Sequence, residues 1–393
     1  MSAIRPILPV ILATIFNIVG MGMVVPGLPF HVTSHGGETG VAPLIFSAFS
    51  AAAVLGAPVW GWLSDRMGRK PVLLASAFLT ALSYLWLANV DSLTELYASR
   101  IFAGLMAGWF AASMAYIADV TAPADRAKGM GMLGASFGIG FTIGPALGAW
   151  AVGGDNPAYA LPAYAAAVCT AICALITLFF VREPERHSTD RTVRFATDVL
   201  RNADISKLLV LHFTVHLVFT AMEGVFAIWA AVKFGLGARE VGFYLAYAGL
   251  VTVIVQGGIV RRIVPVLGEG RVILIAVGLL MLTMAAVVAV SDVWMILIPM
   301  GLLAVGISLH NPAMQSLLSQ VAPDQMKGGT MGNAQSAQSL ARVAGPAWGA
   351  AAFSEFGPDS PFLMGFVILA GAFVFALFLS RRFTKAALAS NEA

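Results

Sequence analysis

Charge is scarce in this 393-residue sequence. Asp, Glu, Lys and Arg make up 11% of it, where an ordinary soluble domain carries roughly 25%. Hydrophobic residues make up 59%, a balance that excludes a water-soluble globule of this size. Cysteine is scarcer still: Cys169 and Cys173 are the two present, and their i, i+4 spacing puts them on one face of one helix. That excludes a disulfide framework. A metal site built on them needs further ligands, which their neighbourhood in sequence lacks, so they read as packing residues with no metal and no cofactor. Also missing are an HExxH metal motif, a phosphate-binding loop and a GxSxG nucleophile turn, so neither an enzyme nor a nucleotide-driven pump is expected. The net charge of +3 and the pI of 8.9 do not call for a nucleic-acid partner, because the basic surplus has a topological cause.

What the sequence does have is a series of apolar runs, each about the 20 residues a helix needs to cross a bilayer. Twelve are read, at 6–31, 42–64, 71–90, 93–118, 129–153, 158–181, 206–232, 240–262, 270–290, 292–318, 329–354 and 360–381. They are too long and too uniformly apolar for barrel strands, which alternate over about ten residues. Arg5 followed by a long apolar stretch without a small-residue cleavage site reads as an uncleaved first helix. Arg66, Arg69, Lys70, Arg126, Lys128, the 182–207 segment, Arg261, Arg262, Arg271, Lys327 and Arg381 all fall on one side. The opposite side holds Lys233 and Arg239, so both termini are expected in the cytoplasm.

The hydrophilic segment 182–205 separates a six-helix half, 1–181, from a second, 206–393 with a short tail. The halves resemble each other: ADVTAPADRAKGMG matches SQVAPDQMKGGTMG, and GPALGAW at 144–150 matches GPAWGAA at 345–351. The expected fold is therefore all-α and membrane-embedded, two pseudo-symmetric six-helix bundles with a substrate site between them.

The loop GWLSDRMGRKPVLLA, Gly61 to Ala75, joins the second and third runs. Gly61 and Gly68 suit close approach and a tight turn, Asp65 suits a helix N-terminus, and Arg69 suits an acidic partner. The loop is similar to the signature loop of the major facilitator superfamily of secondary transporters. That resemblance implies that Arg69 pairs with Asp119 in AYIADVT and that Asp65 docks on the start of the eleventh helix, together forming a cytoplasmic gate. The equivalent second-half turn, GGIVRRIVPVLGEGR, keeps glycines and arginines but no Asp, so an asymmetric gate is expected.

The fifth run, GASFGIGFTIGPALGAW, resembles the helix-5 motif of the exporter branch of the superfamily through Gly140, Gly144, Pro145 and Gly148. RIFAGLMAG in the fourth resembles the family motif that begins with an intramembrane arginine, here Arg100, implying a role near substrate or proton transfer; the residue alone fits a hydrogen-bonded structural role as well. NIVGMGMVVPGLP in the first run extends the likeness to bacterial tetracycline-efflux proteins and other drug:proton antiporters. Where those exporters carry intramembrane aspartates, this chain has Asn17 and Ser83, so tetracycline itself is not carried over as substrate.

With those carboxylates gone, coupling falls to other groups. Glu223 lies in the seventh run, and His212 and His216 share its face at spacings of seven and four. The histidines fit proton coupling or simple hydrogen bonding between helices. Asn17, Arg100, Phe226, His310, Asn311, Gln335, Gln338 and Arg342 are the candidate cavity residues, with Arg342 either a substrate contact or the ion-pair partner of Glu223. The resemblance implies a monomeric proton-coupled exporter of amphipathic small molecules in a bacterial inner membrane. A lipid, glycolipid, siderophore or sugar cargo, or a non-transporting receptor, is the alternative.

Overall fold

The structure, a computed structural model, describes residues 6–153, 157–184, 199–323 and 326–391. Side chains at 123–127 and beyond Ser380 lie outside that description. The described residues form helices throughout, with no strand among them. We number the spans α1 Leu8–Ser34, α2 Thr39–Met67, α3 Arg69–Ala88, α4 Leu93–Val120, α5 Pro123–Val152 and α6 Ala160–Phe180. The second half supplies α7 Ala203–Phe234, α8 Ala238–Leu267, α9 Glu269–Val288, α10 Val293–Val321, α11 Lys327–Phe356 and α12 Ser360–Asn391. By length and composition, eleven of these among the described residues can cross a membrane. The remaining one, α11, is a continuous helix of 30 residues; Asn333, Gln335, Gln338 and Arg342 dilute its hydropathy.

By contacts the chain forms two compact units, one drawn from Met1–Asp190 with Ala230–Leu250, the other from Arg191–Trp229 with Val251–Ala393. In the first unit α1 packs on α5 and α6, α3 on α6, and α2 on α4. Small residues make the approaches close. A Cβ on Gly148 would run into the carbonyl of Met23, one on Gly144 into that of Val19, and one on Gly22 into Pro145. The opposite side of α5 meets α8, where Gly242 lies against Pro145 and Ala149, and Gly249 against Phe141 and Thr142.

The fourth span is broken at Met106–Gly108, within RIFAGLMAG. A broken helix at membrane depth frees carbonyls that lipid cannot satisfy. Neighbouring donors take them here: Trp60 Nε1 donates to the Leu105 carbonyl at 2.7 Å and Ser76 Oγ to that of Met106 at 2.7 Å. In α1, Pro26 and Pro29 coincide with a single 3₁₀ turn at Val25–Gly27.

In the second unit α9 packs on α10 and α12. The α7–α11 contact repeats the small-residue construction of α1–α5. Gly345 lies against Thr220 and Leu217, Gly224 against Pro346, and Gly349 against Ala221 and Val225. Thr220 also donates to the Ala341 carbonyl at 2.9 Å.

Candidate functional site

In the first unit the 61–75 loop turns at Gly68, whose φ of +107° is one that L side chains rarely adopt. That turn starts α3 at Arg69 and aims the guanidinium at three oxygens. Arg69 Nε donates to Asp119 Oδ2 at 2.7 Å, and Nη1 donates to Ser64 Oγ at 2.8 Å and Asp65 Oδ1 at 2.9 Å. The Arg69 side chain is 14% exposed, against 35% for Asp119 and 64% for Asp65. The Asp119 contact is thus the better shielded of the two.

Sequence reasoning missed the group that completes this cluster. Glu183, just past α6, accepts the backbone N–H groups of Arg69 and Lys70, each at 2.7 Å. A carboxylate on the first two N–H groups of a helix is favoured by both hydrogen bonding and the helix dipole. Lys70 Nζ adds a bond to the Leu178 carbonyl at 2.8 Å. The close approach expected at Gly61 is not found within its unit, where a Cβ would meet nothing within 4 Å.

The second half closes its equivalent turn differently. Gly268, at φ +77°, repeats the conformation of Gly68. The next residue, Glu269, accepts from Ser316 Oγ at 2.9 Å and Gln320 Nε2 at 2.6 Å at the end of α10. Where the first half uses a cation on an acidic α4, the second uses an anion on polar α10. Glu269 sits 200 residues after Arg69, an offset that could have singled it out.

At membrane depth in the second unit, His212 and His216 lie on one face of α7 with ring centroids 4.2 Å apart. His310 of α10 joins them, its Nε2 3.3 Å from His212 Nδ1. The three are 2%, 1% and 0% exposed. His216 Nδ1 lies 2.9 Å from the His212 carbonyl and so donates to it, which leaves Nε2 to accept from Gln338 Nε2 at 2.9 Å. Glu223, two turns further along α7, is partly buried, and Arg342 of α11 is the cation whose field reaches it. Arg342 and Gln335 are exposed within their unit.

Other candidates are placed in the packing. Arg100 is 3% exposed; its Nη2 donates to the Ser83 carbonyl at 3.1 Å, and its guanidinium lies 5.3 Å from the centre of the Tyr84 ring. Phe226 is 2% exposed and stacks on Trp229, which donates to Asp359. Asn17 is partly buried and reaches Cys173 Sγ at 4.0 Å.

Residues 10–346 and 266–393 match the family model described as Major Facilitator Superfamily. The chain is similar to the tetracycline resistance protein, class H, of Pasteurella multocida, with 27% identity covering 98% of this chain and 99% of that protein. It is 31% identical to the class C tetracycline resistance protein of Escherichia coli, over 86% of this chain and 87% of that protein. Among solved structures, the human organic anion transporter MFSD10 superposes with a TM-score of 0.73 at 24% identity, covering 96% of this chain and all of that one.

Proposed function

The chain belongs to the major facilitator superfamily, and from that premise we propose that it exports amphipathic drug-like molecules by alternating access, driven by inward proton flow. It is a multi-pass membrane protein. Our reading places it as a monomer in a bacterial inner membrane with both termini and the 182–205 segment in the cytoplasm. The relatives named for tetracycline resistance, matched along most of their length, are what carry the choice of cargo class. Asn17 and Ser83 argue for a cargo other than tetracycline itself, since neither side chain titrates or carries charge.

Two groups of residues have separate parts in this reading. Arg69, Asp65 and Asp119, with Glu183 behind them, form the cytoplasmic gate of the first half. Glu223 couples proton to cargo. An antiporter needs a group whose charge differs between states, and a ligand shifts those states only through differential affinity. A carboxylate at membrane depth is protonated when its surroundings are dry and releases its proton beside water or a cation. Arg342 supplies such a cation.

Purified protein in liposomes, given an imposed pH gradient and a panel of cationic dyes and lipids, tests the proposal. Uphill dye movement that collapses with the gradient is expected. Glu223→Gln mimics the protonated form, so it should abolish pH-driven accumulation while downhill exchange persists. Full uphill transport by that variant with unchanged pH dependence moves coupling to another site, and dye movement indifferent to the gradient removes protons from the mechanism.

A further inference from the structure

The export reading leaves three buried imidazoles without a task. Within the second unit, His212, His216 and His310 each offer a ring nitrogen, all within 4.8 Å of one another. A tetrahedral Zn²⁺ with Zn–N bonds of about 2.0–2.1 Å needs ligand nitrogens roughly 3.4 Å apart. His212 Nδ1 and His310 Nε2 already stand 3.3 Å apart. His216 is held in the orientation typical of a metal ligand, its Nδ1–H spent on a backbone carbonyl so that Nε2 keeps its lone pair. Gln338 occupies that lone pair with one hydrogen bond, which coordination would replace. On α10, His310 Nδ1 is buried with no hydrogen-bond partner among the described residues. Native proteins seldom leave buried polar atoms in that condition unless a ligand, ion or water completes them.

We propose that His212, His216 and His310 form a binding site for a divalent first-row transition metal of the Zn²⁺ class, with a fourth position left for water or an oxygen ligand. Neutral imidazole suits Zn²⁺, Co²⁺, Ni²⁺ and Cu²⁺, whereas Mg²⁺ and Ca²⁺ require oxygen ligands that this cluster does not offer. The geometry also explains why three histidines are buried together: as free imidazoles they can share few hydrogen bonds, and as ligands each has a lone pair to give. The site stands on the second unit alone and does not depend on the cargo or on proton coupling.

Tag-free purified protein in detergent, titrated with Co²⁺, provides the test. One Co²⁺ per chain is expected, with the strong visible absorption of a tetrahedral ion, displaced by Zn²⁺ and not by millimolar Mg²⁺. His310→Asn and His216→Gln should each weaken binding at least tenfold. The remaining histidines serve as a control, so His31→Gln, His35→Gln and His187→Gln combined should keep the stoichiometry and the spectrum. Two results on folded wild-type protein overturn the site: no visible band at micromolar Co²⁺, or displacement by Mg²⁺. So does a band that survives His212→Gln, His216→Gln and His310→Asn combined.

Discussion

Gly68 combines two constraints at one residue. Its φ of +107° disfavours any side chain, and a Cβ there would meet the Glu183 carboxylate at 2.5 Å. Gly68→Ala should therefore destabilise the first unit by about 1–3 kcal/mol and slow transport, read as a lower thermal midpoint in detergent and a reduced rate in liposomes; an unchanged midpoint would show the turn to be unstrained. Arg69 and Asp119 act as a pair, so Arg69→Ala and Asp119→Asn should each slow cycling several-fold while leaving cargo affinity near its original value. If Asp119→Asn transports normally and Arg69→Ala does not, the 2.7 Å contact is incidental to the cycle. Arg69, Asp65 and Asp119 were legible because they sit in recognisable local motifs. Glu183 was not, since its partners lie 114 and 113 residues away and nothing local in the sequence near Glu183 distinguishes it from the other charges of the linker.

The helices of this protein meet where glycine lets backbone touch backbone. In α5 the consequence is graded along one helix: a Cβ at Gly148 collides with the Met23 carbonyl, whereas one at Gly134 meets nothing within 4 Å. Gly148→Ala should lower the thermal midpoint and slow transport, and Gly134→Ala should do neither beyond a small gain in helix propensity. Equal effects at the two sites would mean that the α1–α5 approach is not limiting. Gly345→Ala, against Thr220 and Leu217, should behave like Gly148→Ala. The number and extent of the spans were legible because twenty apolar residues in a row have few other uses. The break in α4 was not, because Gly-Leu-Met-Ala-Gly is as apolar as the helix around it. What permits the break is a pair of donors, Trp60 and Ser76, brought in from other helices. The placement of Arg100 was equally hidden: a lone guanidinium in an apolar run fits a cavity or a packed interior, and Ser83 and Tyr84 of the neighbouring α3 receive it here.

Across the whole chain the same constructions occur twice, about 200 residues apart. Gly22 faces Pro145 as Gly224 faces Pro346, and Gly68 turns the chain as Gly268 does. At these positions the glycines are shared while neighbouring polar groups differ, as Arg69 and Glu269 illustrate. Orientation in the bilayer is testable at this scale. Thiols introduced at Glu38 and Pro358 should be labelled by a membrane-impermeant reagent from outside and one at Arg191 should not, with reversed labelling overturning the basic-side assignment. The background is low, since Cys173 is buried and Cys169 partly so. Glu183 adds a mechanical consequence. It stands where the linker leaves the first half, and both its carboxylate oxygens are anchored on the opening N–H groups of α3. A displacement of Glu183 is therefore felt at the Gly68 turn as well as at the end of α6. Glu183 thereby ties the end of α6 to the first turn of α3.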